Sequence, residues 1–220
     1  MLLFEQNVVT DAFAGQFTSK FRCFQLIGND GEIAALDASD GHVIWGPVTI
    51  QRTDSTPAYA DGKLYVCGGC VGYSDLQTYC FDANTGALIW EIPTSLGVGD
   101  WSCSVAVADG KVFVGMGNGN MIESAEAVRD KHIRRMKQRG ASQAEIEAAY
   151  ARLGPAGEVW ALDLQTGKVL WRYKLKRTVL GTIAAADGKL YFGSRDGVFH
   201  CLTTDGQLVD KLDVHEPIVT

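Results

Sequence analysis

The residues of this 220-residue chain with types and spacing suited to chemistry are few, and they sit between apolar runs. Cys67-Gly68-Gly69-Cys70 is a C-x-x-C pair. A zinc site would want a second pair or a nearby His, and neither follows, so no metal is expected there. A local disulfide and buried structural thiols both remain open, and a redox role would need a lowered thiol pKa. Gly115-Met116-Gly117-Asn118 ends a strand in a Gly-Asn turn. The same dipeptide is an ordinary loop in most proteins. Asp54, Asp100, Trp101 and Arg177 stand in segments that read as loops, where each is either a ligand contact or a solvated side chain.

The elements that must hold these groups come from a repeat. Ala35-Leu36-Asp37 leads to Trp45, Cys80-Phe81-Asp82 to Trp90, and Ala161-Leu162-Asp163 to Trp171. Each follows A-x-D-x-x-T-G-x-x-x-W, with Cys80 in place of the first Ala and Asp40 in place of Thr. The tryptophans lie 45 and 81 residues apart, so the longer interval is one repeat plus an insertion of 36 residues. A fourth copy, Cys201-Leu202-Thr203-Thr204-Asp205-Gly206, lacks its Trp. Asp61-Gly62, Asp109-Gly110 and Asp187-Gly188 each divide two apolar runs and predict tight hairpins. Over 183–202 this gives strands Ile183–Ala186, Lys189–Gly193 and Val198–Leu202. With the strand that carries Trp, one repeat is a four-stranded antiparallel unit, and a period of 40 to 50 residues is that of propeller blades. Runs without alternation, such as Leu190-Tyr191-Phe192, suit blades packed on both faces.

Composition narrows the partners. Apolar residues make up 46% of the chain, Gly numbers 25, and the net charge is −6. That balance disfavours nucleic acid and anionic membrane surfaces. No run is long enough for a transmembrane segment, and Met1–Gln6 lacks the basic n-region of a signal peptide. Six cysteines are too sparse for a disulfide scaffold. Cys80 and Cys201 share one repeat position with Ala35 and Ala161 and read as small buried residues.

The motif resembles the tryptophan-docking repeat of the PQQ-like β-propellers, which include quinoprotein alcohol dehydrogenases and non-catalytic outer-membrane assembly lipoproteins. The resemblance runs from about Val8 to Thr220. It implies an all-β propeller of about four four-stranded blades in an incomplete ring, within a single domain over 1–220. The blades fall at about 8–50, 51–95, 96–175 and 176–214, with a helical insertion at about 120–157. It assigns Trp45, Trp90 and Trp171 to docking between blades, and it implies a periplasmic or cell-surface location. Family rings have seven or eight blades. The expected partners are therefore the remaining blades of a longer chain or another protein, and two copies closing one ring are the alternative. An open ring would also favour self-association.

Propeller topology puts the segments leading into each blade near the central axis, on the same side as the loops between second and third strands. Those leading segments hold Arg52–Ser55, Gly99–Ser102, Lys176–Thr178 and His215-Glu216. Trp101 there either meets a ligand or plugs the inner channel. The insertion falls on this face too. Ser142-Gln143-Ala144-Glu145 reads as a capping box, Gly140 as a helix end, and Met121, Ala125, Val128, His132 and Met136 as a helical stripe. The insert carries +2 and the remainder −8; it reads as a solvated lid or as a docking helix.

The resemblance also permits a residue-by-residue test for PQQ and calcium. Asn118 matches the family's calcium-ligating Asn. The catalytic Asp would follow Trp171, where this chain has Arg177-Thr178, and the calcium Glu has no match in Val71-Gly72-Tyr73-Ser74. Calcium would be short of anionic oxygen and an alcohol would lack its base. The expectation is a non-catalytic repeat module that binds a protein or small ligand through its loop face, with no cofactor. A truncated or degenerate PQQ-dependent dehydrogenase is the alternative.

Overall fold

The structure is a computed structural model that describes residues 8–10, 22–27, 31–37, 39–51, 53, 55–68, 76–94, 100–102, 104–118, 125–152 and 157–219. The three Asp-Gly pairs set the hairpins. Asp61 and Gly62 have φ of 50° and 74°, Asp109 and Gly110 of 49° and 68°, Asp187 and Gly188 of 50° and 70°. Two successive residues at positive φ make the turn whose twist matches a hairpin, and Asp and Gly tolerate it best.

Four antiparallel blades result. The first has β1 (Val8–Thr10), β2 (Arg22–Ile27), β3 (Glu32–Asp37) and β4 (Val43–Thr49), paired in that order. The second has β5 (Ala58–Ala60), β6 (Lys63–Cys67), β7 (Gln77–Asp82) and β8 (Leu88–Pro93). In the third, β9 (Asp100–Ser102) joins β10 (Ala106–Ala108), β11 (Lys111–Asn118), β12 (Gly157–Asp163) and β13 (Val169–Leu175). The fourth has β14 (Ala184–Ala186), β15 (Lys189–Gly193), β16 (Val198–Thr203) and β17 (Leu208–Asp213). The short inner strands β5, β10 and β14 are neighbours, which stacks the blades around an axis, and four blades leave the ring open.

The core lies between blades rather than within them. One cluster joins Ile33, Ala35 and Trp45 to Leu64, Val66 and Phe81; a second joins Tyr65, Cys80 and Trp90 to Val112, Val114 and Leu162; a third joins Phe113, Val159 and Ala161 to Leu190, Phe192 and Leu202. Middle strands therefore bury both faces, as in β6 and β12. Cys80 is fully buried, and burial pushes its thiol up to about 11.

The helical insertion joins β11 to β12 as α1 (Ala125–Gln138) and α2 (Gln143–Arg152). The Ser142 backbone N–H donates to Glu145 Oε2 at 2.7 Å while the Glu145 N–H donates to Ser142 Oγ at 3.3 Å, a reciprocal cap. Gly140, at φ 77°, ends α1. The packed stripe differs from the sequence expectation at His132. Among the described side chains of α1 Ile133 is the buried one, against Ile146 and Ala149 of α2, with Met136, expected there, and Ala141 flanking it; the side chains of Ala125 and Val128 lie outside the description. His132 is half-buried beside this stripe, and Met121 lies outside the described residues. The two helices pack on each other, and α1 also meets β11.

Candidate functional site

The repeat motif builds each blade junction from two halves. Asp163 Oδ1 accepts the Thr166 hydroxyl at 2.6 Å and the Thr166 N–H at 2.8 Å, which hold its carboxyl below the usual range. Asp82 Oδ1 accepts from Thr85 in the same way. The turn this folds presents a glycine to the Trp of the preceding blade. Trp45 Nε1 donates to Ala83 O at 3.0 Å, Trp90 Nε1 to Leu164 O at 3.3 Å, and Trp171 Nε1 to Thr204 O at 3.1 Å. A Cβ on Gly86, Gly167 or Gly206 would stand 2.5, 2.8 or 2.8 Å from the facing indole. Glycine in this turn thus serves both positive φ and the approach of the ring.

The loop face gathers several of the sequence-selected groups. Asn118 ends β11, and its backbone partner in the register is Asp100 of β9; Gly117 pairs with Trp101 and Met116 with Ser102. Residues 100–102 are therefore a strand, not the loop the sequence suggested. The eight-residue β11 outruns the three-residue β10, and β9 pairs the backbone edge left beyond it. The segment leading into blade four lies against the same strands. A Cβ on Gly117 would come 2.6 Å from Thr178 Cα, and one on Gly157 would come 1.9 Å from the Arg177 carbonyl oxygen. Asn118, Asp100 and Arg177 are thus brought to one end of blade three. Asp54 lies outside the described residues; its neighbours Thr53 and Ser55 turn toward blade two, with Ser55 Oγ donating to Cys67 O at 2.6 Å. Cys67 is fully buried, its thiol 3.4 Å from the Thr78 hydroxyl, while Cys70 lies outside the described residues.

Sequence reasoning missed a cleft beside Arg177. Arg177, Arg195, Asp196, His215 and Pro217 line a cavity of about 420 Å³. Arg195 and Asp196 lie in the turn between β15 and β16, and His215 and Pro217 follow β17. Backbone bonds tie the three segments together: Arg195 N–H donates to Thr178 O at 2.9 Å, and Val214 N–H to Gly197 O at 2.8 Å. Ser194 sits beneath, its hydroxyl donating to the Asp196 carboxylate and lying 3.2 Å from His200 Nε2. His200 stacks on Phe192 at 5.1 Å, and burial holds its pKa below the usual imidazole value. Arg195 also has its pKa lowered, by burial first and by the Arg177 charge second. The sequence signals were the leading segments with Arg177 and His215 and a charged Arg-Asp-Gly turn on the same side.

Asp37, Asp40 and His42 form a mostly exposed cluster with ligand atoms within 4.8 Å of one another. His42 Nδ1 lies 2.7 Å from Asp40 Oδ1, and that contact accounts for their approach.

Four-stranded blades joined by Trp-to-turn contacts, with a helical excursion in one loop, define a PQQ-like β-propeller repeat protein. The chain belongs to the PQQ_2 family, described as outer membrane protein assembly factor BamB, whose model matches residues 29–146 and 153–220. It is 28% identical over 178 residues to the polyvinylalcohol dehydrogenase of Sphingopyxis sp. (strain 113P3), covering 73% of this chain and 22% of that protein. A europium-containing methanol dehydrogenase superposes with a TM-score of 0.61 at 14% identity, over 91% of this chain and 41% of its own. The quinohemoprotein alcohol dehydrogenase of Comamonas testosteroni gives 0.61 at 18% identity, over 90% and 36%. This chain thus spans about a fifth of the curated relative, and the structural likenesses speak to the fold. No described helix is long and apolar enough to cross a membrane.

Proposed function

We propose that this chain is a non-catalytic binding module whose loop face holds a protein or small ligand, acting in the periplasm or at the cell surface. The observation that carries it is Arg177. The family resemblance implies a catalytic carboxylate at this point, and here a guanidinium stands beside a second one, Arg195, across a shared cleft. The segment that carries it is held close to blade three, since a Cβ on Gly157 or Gly117 would run into Arg177 or Thr178.

PQQ and calcium fit this donor set poorly. A calcium ion at this end of blade three would find Asn118 and one carboxylate residue, Asp100, beside Arg177, and hard divalent ions need several oxygen ligands, most of them anionic. No proton acceptor for an alcohol stands at Arg177, since an arginine stays protonated. The alternative, a dehydrogenase module, draws on Asn118 opposite Asp100 and on the dehydrogenase relatives. Dye reduction with short and long alcohols, with PQQ and calcium supplied, separates the two. No turnover is expected. Stoichiometric PQQ binding by calorimetry, with turnover abolished in Asn118→Ala, would establish the enzyme instead.

A further inference from the structure

Three of the four receiving turns carry an indole, and the turn of blade one does not. It is nevertheless folded like its counterparts. Gly41 N–H donates to Asp37 O at 2.8 Å, as Gly86 and Gly167 donate to Asp82 O and Asp163 O at 2.9 Å. Asp37 N–H donates to His42 O at 2.9 Å, as Asp82 does to Ala87 O and Asp163 to Lys168 O at 2.8 Å. Gly41 has a φ of 77°, against 72° for Gly86 and Gly167. The difference lies in what covers the glycine. Gly86 and Gly167 are buried under Trp45 and Trp90, Gly206 is half-buried under Trp171, and Gly41 is exposed. A Cβ on Gly41 would meet nothing within 4 Å among the described residues.

The chain has no tryptophan left for that place. Of its five, Trp45, Trp90 and Trp171 each dock on the following blade. Trp160 is buried between blades two and three, and Trp101 lies in β9 of blade three. A second copy does not supply one either. Asp210 holds the docking position of blade four, so the same geometry between two copies would bring a carboxylate to a turn that already has Asp37 and Asp40. Like charges brought together there repel. An acidic turn still accepts an indole: Asp205 precedes Gly206 as Asp40 precedes Gly41, and Trp171 docks on it.

We infer that the Gly41 turn of blade one is a docking surface for a tryptophan on the outer strand of a blade in another polypeptide, and not for a second copy of this chain. The three covered turns define that occupant. Its indole lies over the glycine, its ring N–H donates to a carbonyl of the turn, and an aliphatic side chain two residues on closes the contact, as Ile92 does beside Trp90 at Gly167.

The test mixes two versions of the full chain in analytical ultracentrifugation. The unaltered chain is the acceptor. The donor is Asp210→Trp combined with Gly41→Asn, which carries an indole at the docking position and cannot receive one. Asparagine tolerates positive φ, and its side chain takes the space of the ring. Donor and acceptor should form a one-to-one complex. Gly41→Asn in the acceptor should weaken it about tenfold or more, the scale of losing a well-packed tryptophan contact, and so should a donor with Asp210→Ala in place of Asp210→Trp. Should Gly41→Asn lower the thermal melt, the single variants decide: Asp210→Trp should self-associate where Asp210→Ala does not. Absence of a complex would overturn the inference. So would a complex equally tight with the Gly41→Asn acceptor or with the alanine donor. Self-association of the unaltered chain that Gly41→Asn abolishes would overturn it as well, by making a second copy the occupant.

Discussion

The junction between blades two and three and the outward face of blade four are the same surface in two repeats, and they differ at the docking position. In blade two Cys80 pairs across strands with Trp90, and both are buried against blade three. In blade four Cys201 pairs with Asp210, and Asp210 is exposed. Phe199 and Leu212, cross-strand partners on that sheet, are 40% and 63% exposed. Yet blade four keeps the other half of the motif: Gly206, at φ 85°, receives Trp171 just as Gly167 receives Trp90. The repeat therefore degenerates directionally. Its receiving turn and its docking tryptophan serve different neighbours, so one can be lost without the other. Cys201, read from sequence as buried like Cys80, is only half-buried for this reason: no described blade covers it.

The largest break in this comparison comes from removing a docked ring. Trp90→Ala should cost about 3–5 kcal/mol in urea unfolding, the range for truncating a buried aromatic. Gly167→Ala attacks the same junction from the receiving side. Its new Cβ would stand 2.8 Å from the indole at a φ of 72°, and an overpacking cost of about 1–3 kcal/mol is expected. Losses below about 1 kcal/mol in both variants would mean that the ring fills space without holding the blades.

The same asymmetry explains what could be read from sequence. Blades were legible because Asp-Gly and D-x-x-T-G turns are local devices whose chemistry is complete within a few residues. Arg177 was legible as an anomaly, a cationic side chain where the resemblance implies a carboxylate. The cleft was not, because Arg195 and Asp196 reach Arg177 only through the curl of blade four and the seating of Ile218 on Gly193. Residues 100–102 read as a loop because three residues carry no periodicity, and their strand exists only by virtue of the longer β11 beside them. In the insert Met136 joins the packed face as its spacing suggested, while Ile133 rather than His132 is its buried centre, a choice that helix spacing leaves to the packing partner.

A smaller effect should come from pH. His200 is buried between Phe192 and Tyr173, and burial lowers its pKa; Asp196 pulls it up and Lys211 pushes it further down. With the folded pKa below the unfolded value of about 6.5, the unfolded chain binds the extra proton. Stability contributed by neutral His200 is complete above that value and declines as pH falls below it toward the folded pKa. Melting temperature between pH 7.5 and pH 5 should therefore drop more for the unaltered chain than for His200→Phe, which keeps the stack but cannot titrate. Parallel curves would show that the imidazole is protonated without cost in the fold.

The smallest effect is expected at the position that defines the comparison. Asp210 occupies the tryptophan place of its repeat, yet its side chain is exposed, and Oδ1 accepts the Lys211 N–H at 2.8 Å within its own strand. Among the described residues nothing from a neighbouring blade reaches it. Asp210→Ala should change the unfolding free energy of this chain by no more than about 0.5 kcal/mol, as for most exposed substitutions. The result is informative because the same strand position costs several times more in blade two. A loss above about 2 kcal/mol would mean that Asp210 closes a junction of its own, between this face and whatever covers Phe199 and Leu212, and the repeat would then have exchanged an apolar lock for a polar one rather than lost it.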